Sequence, residues 1–257
     1  MMDLYKIIKK TVFAKLPEPA RHFLKKRMYP SWIQRKAEAC WPLAATVRPL
    51  LKPGQTAVDV GANMGYVSYL LAKMVGPDGK VFSLEPIPST YDLLQSNMRR
   101  LHLSQVIPMN YAASFESRDA EMEIPFFADG TPNYYEARLL PPGAPSELPS
   151  VNVCMRTLDD LLRDEPSVQF IKIDAEGHEL DVLRGATEIL RRDRPILVIE
   201  VWGDPDQPGT PAAGLFSLLA AEGYSAYLPR EGKLLPRRKG DASVDYFFLQ
   251  PGQGPDG

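Results

Sequence analysis

Short apolar segments alternate with helical segments from Pro53 to Trp202, and this alternation constrains the fold more than any other feature. The strand-like segments are apolar at consecutive positions, which is typical of parallel strands with both faces covered. Strands are predicted at 56–60, 80–86, 106–114, 169–177 and 195–202. The segments between them have helical spacing, and the first carries Val67, Leu70, Leu71 and Met74. Later helices are predicted at 88–101, 178–192 and 211–222.

The last two strand-like segments, 223–229 and 244–251, have no helix between them. Because parallel strands need a crossover connection, the final strand is predicted to run antiparallel to its neighbour. The pattern therefore predicts an α/β fold with a mostly parallel sheet and helices on both faces. The chain of 257 residues suits one such domain at 46–250. A change of period at 116–150 predicts an inserted β-hairpin and loop, and 251–257 is predicted to be a disordered tail.

Residues 1–45 form a predicted helical extension that carries most of the positive charge. Residues 1–36 hold ten lysines and arginines against two acidic residues, about +8, so the rest of a chain of charge −2 carries about −10. Helices are predicted at 3–15 and 20–28, with Pro30 ending the second. A basic surface of this kind could contact an acidic membrane peripherally or attract an anionic substrate. The favoured alternative is a helical cap or lid packed on the main domain.

Composition limits the location and the partners. Cys40 and Cys154 match no metal or redox spacing, which indicates a reducing compartment without disulfides. No apolar run approaches the roughly 18–20 residues of a membrane span, and charges interrupt the first residues too often for a signal peptide. A cytoplasmic protein without a transmembrane segment is expected. A nucleic acid partner is not expected, and the oligomeric state is left open.

The turn after the first strand is the first candidate binding site, because ligands of open parallel sheets bind beyond the carboxyl ends of the strands. Gly61 and Gly65 allow the backbone to turn tightly and to approach a ligand. Asn63 and Tyr66 stand where a dinucleotide fingerprint would have its second and third glycines. The phosphate-loop Gly-Lys-Ser/Thr is also absent.

Two carboxylates narrow the class of ligand. Asp59 precedes the glycine turn, where it would repel a pyrophosphate but suits an amino-bearing ligand. Glu85 ends the second strand, where it can accept hydrogen bonds from both ribose hydroxyls. A nucleoside with an aminoacyl group fits these two positions better than a dinucleotide.

Four stretches resemble the FkbM family of S-adenosylmethionine-dependent methyltransferases: VDVGANMGYVSYLLAK, VFSLEPIPSTYDLLQSNM, NYAAS and FIKIDAEGHELDVLRGA. The resemblance covers 54–202 and implies a Rossmann-like sheet of seven strands with a reversed final strand. It implies that the 61–65 loop wraps the methionine part of the cofactor, with Asp59 near its amino group, Glu85 on the ribose and Ala112 beside the adenine. The predicted cofactor residues are Asp59, Gly61, Ala62, Asn63, Gly65, Tyr66, Glu85, Pro86, Ala112 and Asp174. Substrate specificity is expected from 1–45 and 116–150, which match no motif.

The predicted catalytic residues lie at the ends of the fourth and fifth strands and are Asp174, Glu176, His178 and Glu200. One hypothesis makes His178 the general base, because histidine titrates near neutral pH; its alternative is an exposed histidine in the first turn of a helix. A second hypothesis has Asp174, Glu176 and Glu200 bind Mg²⁺ through oxygen ligands. Its alternative is that these acids cap the following helix.

The leading function is O-methylation of a hydroxyl on a sugar or natural-product small molecule, as the resemblance implies. Methylation at nitrogen, a catalytically silent cofactor-binding module, an interaction protein and, last, an NAD-dependent dehydrogenase are the alternatives. The aromatic residues Phe126, Phe127, Tyr134 and Tyr135 either line the acceptor pocket or pack the inserted hairpin on the domain.

Overall fold

The computed structural model describes residues 16–253 apart from 129, 142, 144, 231 and 232, and it leaves out the side chain of Tyr135. The predicted helix at 3–15 and the last four residues of the predicted tail lie outside the described residues. The strands of the described part are β1 (Thr56–Val60), β2 (Lys80–Leu84), β3 (Val106–Met109), β4 (Ala112–Ala113), β5 (Arg118–Glu123), β6 (Arg138–Leu139), β7 (Ser150–Arg156), β8 (Phe170–Ile173), β9 (Ile196–Glu200), β10 (Ser225–Arg230), β11 (Lys233–Pro236) and β12 (Asp245–Leu249).

The helices flank these strands in the order that the sequence predicts. They are α1 (Glu18–Cys40), α2 (Ala44–Val47), α3 (Tyr66–Val75), α4 (Pro88–Arg100), α5 (Leu158–Leu161), α6 (Glu179–Arg184), α7 (Thr187–Arg192) and α8 (Pro211–Ala221). A short 3₁₀-helix spans Tyr134–Glu136. Among the described residues, no helix is long and apolar enough to cross a membrane.

The large sheet has the strand order β11-β10-β12-β9-β8-β1-β2-β3. The five strands from β9 to β3 are parallel, and β12 is antiparallel to both β9 and β10, which confirms the mostly parallel sheet and the reversed final strand. The sheet has eight strands rather than the predicted seven, because Lys233–Pro236 folds back on β10 as an antiparallel hairpin.

Two hydrophobic cores lie on the two faces of this sheet. Along β1, Ala57 packs in the core that α1, α3 and α4 cover, and Val58 packs in the core that α6, α7 and α8 cover. Both residues are fully buried. This alternation is the reason that the strand is apolar at consecutive positions.

Several predicted boundaries are wrong, and two of the differences have a clear physical reason. The helix predicted at 20–28 does not end at Pro30 but continues to Cys40, because Ile33 and Ala37 pack in the core and offset the hydrogen bond that the proline cannot donate. The strand predicted at 106–114 divides after Met109.

The third boundary concerns the helix predicted at 178–192, which breaks into α6 and α7 at Gly185. A Cβ atom at Gly185 would lie 1.9 Å from the carbonyl oxygen of Ser114, so the chain passes close to another main chain there. The helix therefore breaks at the glycine that allows this close approach of the two main chains.

The inserted segment forms a second sheet with the strand order β4-β7-β5-β6. The hairpin predicted at 116–150 is therefore part of a four-stranded unit, in which β5 pairs antiparallel with β7. Its core contains Met122, Val153, Met155 and Ala112 of β4, and it packs against Ile87 of the main domain. The insert thus lies next to the end of β2, where the cofactor is predicted to bind.

The packing of α1 predicts a stability difference between two positions of that helix. Ile33→Ala should lower the free energy of unfolding by about 2–4 kcal/mol, because Ile33 is fully buried in the core. Phe23→Ala, at a position 59% exposed, should change it by less than about 0.5 kcal/mol. Urea denaturation measures both. Equal and small effects would show that α1 is a detachable cap.

Candidate active site

A cavity opens at the carboxyl edge of the large sheet, between the ends of β1, β2 and β8 and the inserted sheet. The predicted site residues that line it are Gly61, Asn63, Tyr66, Glu85, Pro86, Ala112, Asp174, Glu176 and His178. The fold thus brings together residues from three separate strand ends. The other predicted residues, Asp59, Ala62, Gly65 and Glu200, do not line this cavity.

The glycine turn is held by contacts on both sides. Gly61 has a φ of +74°, and a Cβ atom there would lie 1.9 Å from the carbonyl oxygen of Asp174, so only glycine fits. On the other side, Gly61 and Ala62 donate their N–H groups to the carbonyl oxygen of Leu84. The turn is therefore fixed between β2 and β8 before any ligand binds.

Glu85 is a buried carboxylate in the wall of the cavity. Its Oε2 accepts the N–H of Asn63 at 3.0 Å and its Oε1 accepts the N–H of Ile87 at 3.0 Å. Burial raises the pKa of Glu85 to about 7, although both hydrogen bonds lower it. Because each oxygen can accept a second hydrogen bond, the carboxylate can still receive two hydroxyl groups of a ligand.

Asp59 lies behind the cavity and is fully buried. Its Oδ2 accepts a hydrogen bond from Ser68 Oγ at 2.6 Å, and Ser68 Oγ accepts one from Ser83 Oγ at 2.8 Å. Within the described part of the chain, Asp59 Oδ1 has no hydrogen-bond partner, and Lys172 Nζ lies 3.9 Å from it. Burial raises the pKa of Asp59.

The turn after β8 presents Glu176 to the cavity. Glu179 Oε1 accepts the N–H groups of Ala175 at 3.1 Å and Gly177 at 3.0 Å, which fixes the turn around Glu176. Glu176 itself has a φ of +49°, which is an uncommon backbone conformation for a residue with a side chain. Burial, followed by the charge of Asp174, raises the pKa of Glu176 to about 7.

The predicted catalytic residues His178 and Glu200 each lie near an acidic residue. His178 lies at the start of α6, and its Nδ1 is 3.7 Å from Asp181 Oδ2. Glu200 ends β9 and is paired in register with Asp245 of β12. Burial, then the charges of Asp174 and Asp245, raises the pKa of Glu200 to about 7.

The geometry does not support the predicted Mg²⁺ site at Asp174, Glu176 and Glu200. Within the ranges that the structure describes, no three acidic, histidine or cysteine residues are grouped so that they could hold a metal ion. Asp174 Oδ2 instead accepts a hydrogen bond from Lys172 Nζ at 2.9 Å. A lysine ammonium therefore supplies the positive charge that the hypothesis assigned to magnesium.

Sequence reasoning missed two groups of site residues. Lys172 interrupts the apolar strand FIKI, and a lysine at a position predicted to be buried was the available signal. The other group is most of the apolar wall, namely Ile87, Tyr111, Ala113, Met122, Ala137 and Leu139, whereas Tyr134 of the same wall was among the predicted pocket residues. Several of these come from the insert, whose pairing gave no recognisable sequence signal.

The sheet order, the reversed strand and the cavity at the glycine turn define a Rossmann-like S-adenosylmethionine-dependent methyltransferase fold. The chain belongs to the methyltransferase FkbM domain family, whose model matches residues 59–226. Methyltransferase FkbM from Methylobacillus flagellatus KT has a similar fold, with a TM-score of 0.50 at 18% identity, over 76% of this chain and 43% of that chain. The family resemblance found in the sequence is confirmed.

Two curated relatives are similar over half of the chain or slightly more. The hexuronic acid methyltransferase AglP of Haloferax volcanii is 32% identical over 151 residues, 57% of this chain and 56% of that protein. Methyltransferase 1 of Beauveria bassiana is 28% identical over 144 residues, 50% of this chain and 57% of that protein. The chain thus spans little more than half the length of these relatives.

Glu85 gives the sharpest test of the cofactor site. Glu85→Ala should weaken S-adenosylhomocysteine binding at least about tenfold, because it removes the carboxylate predicted to bind the ribose and leaves the N–H groups of Asn63 and Ile87 without their acceptor. Isothermal titration calorimetry measures the affinity. Glu121→Ala, on the exposed side of the second sheet, is the matched control and should leave the affinity unchanged. A folded Glu85→Ala variant with wild-type affinity would contradict the assignment.

Proposed function

We propose that this protein transfers a methyl group from S-adenosylmethionine to a hydroxyl of a sugar or natural-product small molecule. The observation that carries the proposal is one cavity with two chemically different ends. Glu85, which follows β2, is held by backbone N–H groups beside an apolar wall, and Asp174 and Glu176 follow β8 on the other side of β1. Membership of the FkbM family supports methyl transfer. A relative named as a hexuronic acid methyltransferase supports a sugar acceptor.

The residues of the cavity fit the proposed cofactor. Glu85 would bind the ribose hydroxyls, and the apolar surface of Ile87 and Ala112 would contact the adenine. The Gly61 turn would hold the methionine part, with Asp59 behind it. When bound, this cofactor supplies an electrophilic methyl group on a positively charged sulfur. The carboxylates of Asp174 and Glu176 suit that charge.

Methyl transfer to a hydroxyl is an in-line displacement, so most of the catalytic task is to position the acceptor and remove its proton. A bond forms between the acceptor oxygen and the methyl carbon as the carbon–sulfur bond breaks, and the electron pair of that bond stays on sulfur. The hydroxyl proton must pass to a base in the cavity wall.

Glu176 is the base that we favour over His178. It lines the cavity, its turn is fixed by Glu179, and its pKa of about 7 lets it be ionised and basic near neutral pH. His178 also lines the cavity, but its Nδ1 faces Asp181. Asp174 already accepts a hydrogen bond from Lys172.

The insert is proposed to contact the acceptor, and α1 is proposed to hold the insert in place. Tyr134 of the insert lines the cavity, and its hydroxyl donates to Glu18 Oε1 of α1 at 3.0 Å. The two regions that match no sequence motif therefore meet at the cavity wall. Phe126 and Phe127 do not line the cavity and are exposed.

A methyl-transfer screen tests the function. Purified protein is incubated with S-adenosylmethionine labelled in its methyl group and with neutral sugars, hexuronic acids, amino sugars and phenolic natural products. The expected product carries the label on oxygen, which mass spectrometry and NMR identify. Label on nitrogen would overturn the choice of acceptor atom. Cofactor binding without transfer to any member of the screen would favour a silent binding module.

Two variants separate the candidate bases. Glu176→Gln should lower the transfer rate by about 10²-fold or more and remove the rise of the rate with pH near 7, since only the ionised carboxylate accepts the proton. His178→Ala should keep that rise and lose less than about fivefold in rate. The dependence of the transfer rate on pH, measured for both variants, shows which residue is the base. The reverse pattern would make His178 the base.

A further inference from the structure

Lys172 is a buried lysine to which the proposed mechanism assigns no step. It lies on β8, between β1 and β9, and its side chain is 8% exposed. Its Nζ is 2.9 Å from Asp174 Oδ2 and 3.9 Å from Asp59 Oδ1. Burial lowers the pKa of Lys172, but the carboxylates of Asp174 and Asp59 raise it above its usual value. The ammonium is therefore charged at neutral pH.

Carboxyl groups outnumber this cation at the carboxyl edge of the sheet. The charge of Lys172 lowers the pKa of groups on five different strand ends or turns, namely Asp59, Glu85, Glu176, Glu200 and Asp245. The pKa of each of them is nevertheless above its usual value, chiefly through burial. One lysine thus faces several carboxyl groups, and its single positive charge offsets only part of their negative charge when they are ionised.

The two forms of the cofactor differ in charge. S-adenosylmethionine carries a sulfonium, whereas S-adenosylhomocysteine has a neutral thioether. A negative site attracts the cationic form more strongly. Because the positive charge on sulfur decreases as the methyl group leaves, this attraction is stronger in the ground state than in the transition state. An excess of it would slow transfer.

We propose that Lys172 limits this attraction and so sets the relative affinities of the site for S-adenosylmethionine and S-adenosylhomocysteine. Lys172 acts as a positioning residue, since it binds Asp174, lies near Asp59 and does not line the cavity. Its hydrogen bond to the Asp174 side chain also helps to fix this residue, whose carbonyl oxygen lies against Gly61. The inference rests on the proposed function, because it assumes that the cavity binds the cofactor.

Calorimetry with both cofactor forms tests this inference without an acceptor. Lys172→Met should raise the ratio of the dissociation constants, that of S-adenosylhomocysteine over that of S-adenosylmethionine, by about fivefold or more. Lys80→Met is the matched control. It also removes one lysine charge, but Lys80 starts β2 at the opposite sheet edge, where it pairs with Glu165 at 2.9 Å. Its ratio should stay within about twofold of the wild type. A merely structural role of Lys172 would weaken both ligands equally.

A second pair of variants keeps the test valid if Lys172→Met does not fold. Asp174→Asn removes one carboxylate, and Asp174→Asn combined with Lys172→Met removes the lysine from that less negative background. The ratio should rise from the first variant to the second. The two comparisons are wild type with Lys172→Met and Asp174→Asn with the double variant. If both proteins of a comparison fold and their ratio of dissociation constants is the same, the proposed role of Lys172 is wrong. Failure of the wild-type protein to bind either ligand would instead overturn the proposed function.

Discussion

The main chains of β1 and β8 meet where Gly61 lies against the carbonyl oxygen of Asp174. No side chain fits between them, since a Cβ atom at Gly61 would lie 1.9 Å from that oxygen. The contact fixes the glycine turn against the end of β8, and Glu85 reaches the same turn through the N–H of Asn63 at 3.0 Å. The expected cofactor end and acceptor end of the cavity are thus parts of one rigid sheet edge.

Charge is the second constraint on this edge. Parallel strands bring Asp59, Asp174 and Glu200 to the same side, and burial makes their negative charge costly. The fold offsets part of that cost with Lys172 and part with hydrogen bonds such as the one from Ser68 to Asp59. The remaining negative charge suits a cationic ligand. A sulfonium cofactor and an acid-lined acceptor site therefore fit the same physical arrangement.

The sequence predicted those parts of the fold that depend on the pattern of residues close together along the chain. The parallel strands, the reversed final strand and the placement of Gly61, Glu85 and Glu176 at strand ends follow from apolar period and spacing. Pairing across long separations was not visible, so the sheet formed by β5 and β7 and the paired Glu200 and Asp245 were missed. The structure does not support the magnesium hypothesis, since spacing shows where carboxylates lie but not that Lys172 faces them.

The crystal structure of the protein with S-adenosylhomocysteine is the most direct test of the central claim, that this cavity holds the cofactor with its reactive end toward the acid-rich turn. We expect both ribose hydroxyls to bind Glu85 and the sulfur to face Asp174 and Glu176. A ligand bound elsewhere, or bound here with its sulfur toward the apolar wall of Met122 and Leu139, would contradict it.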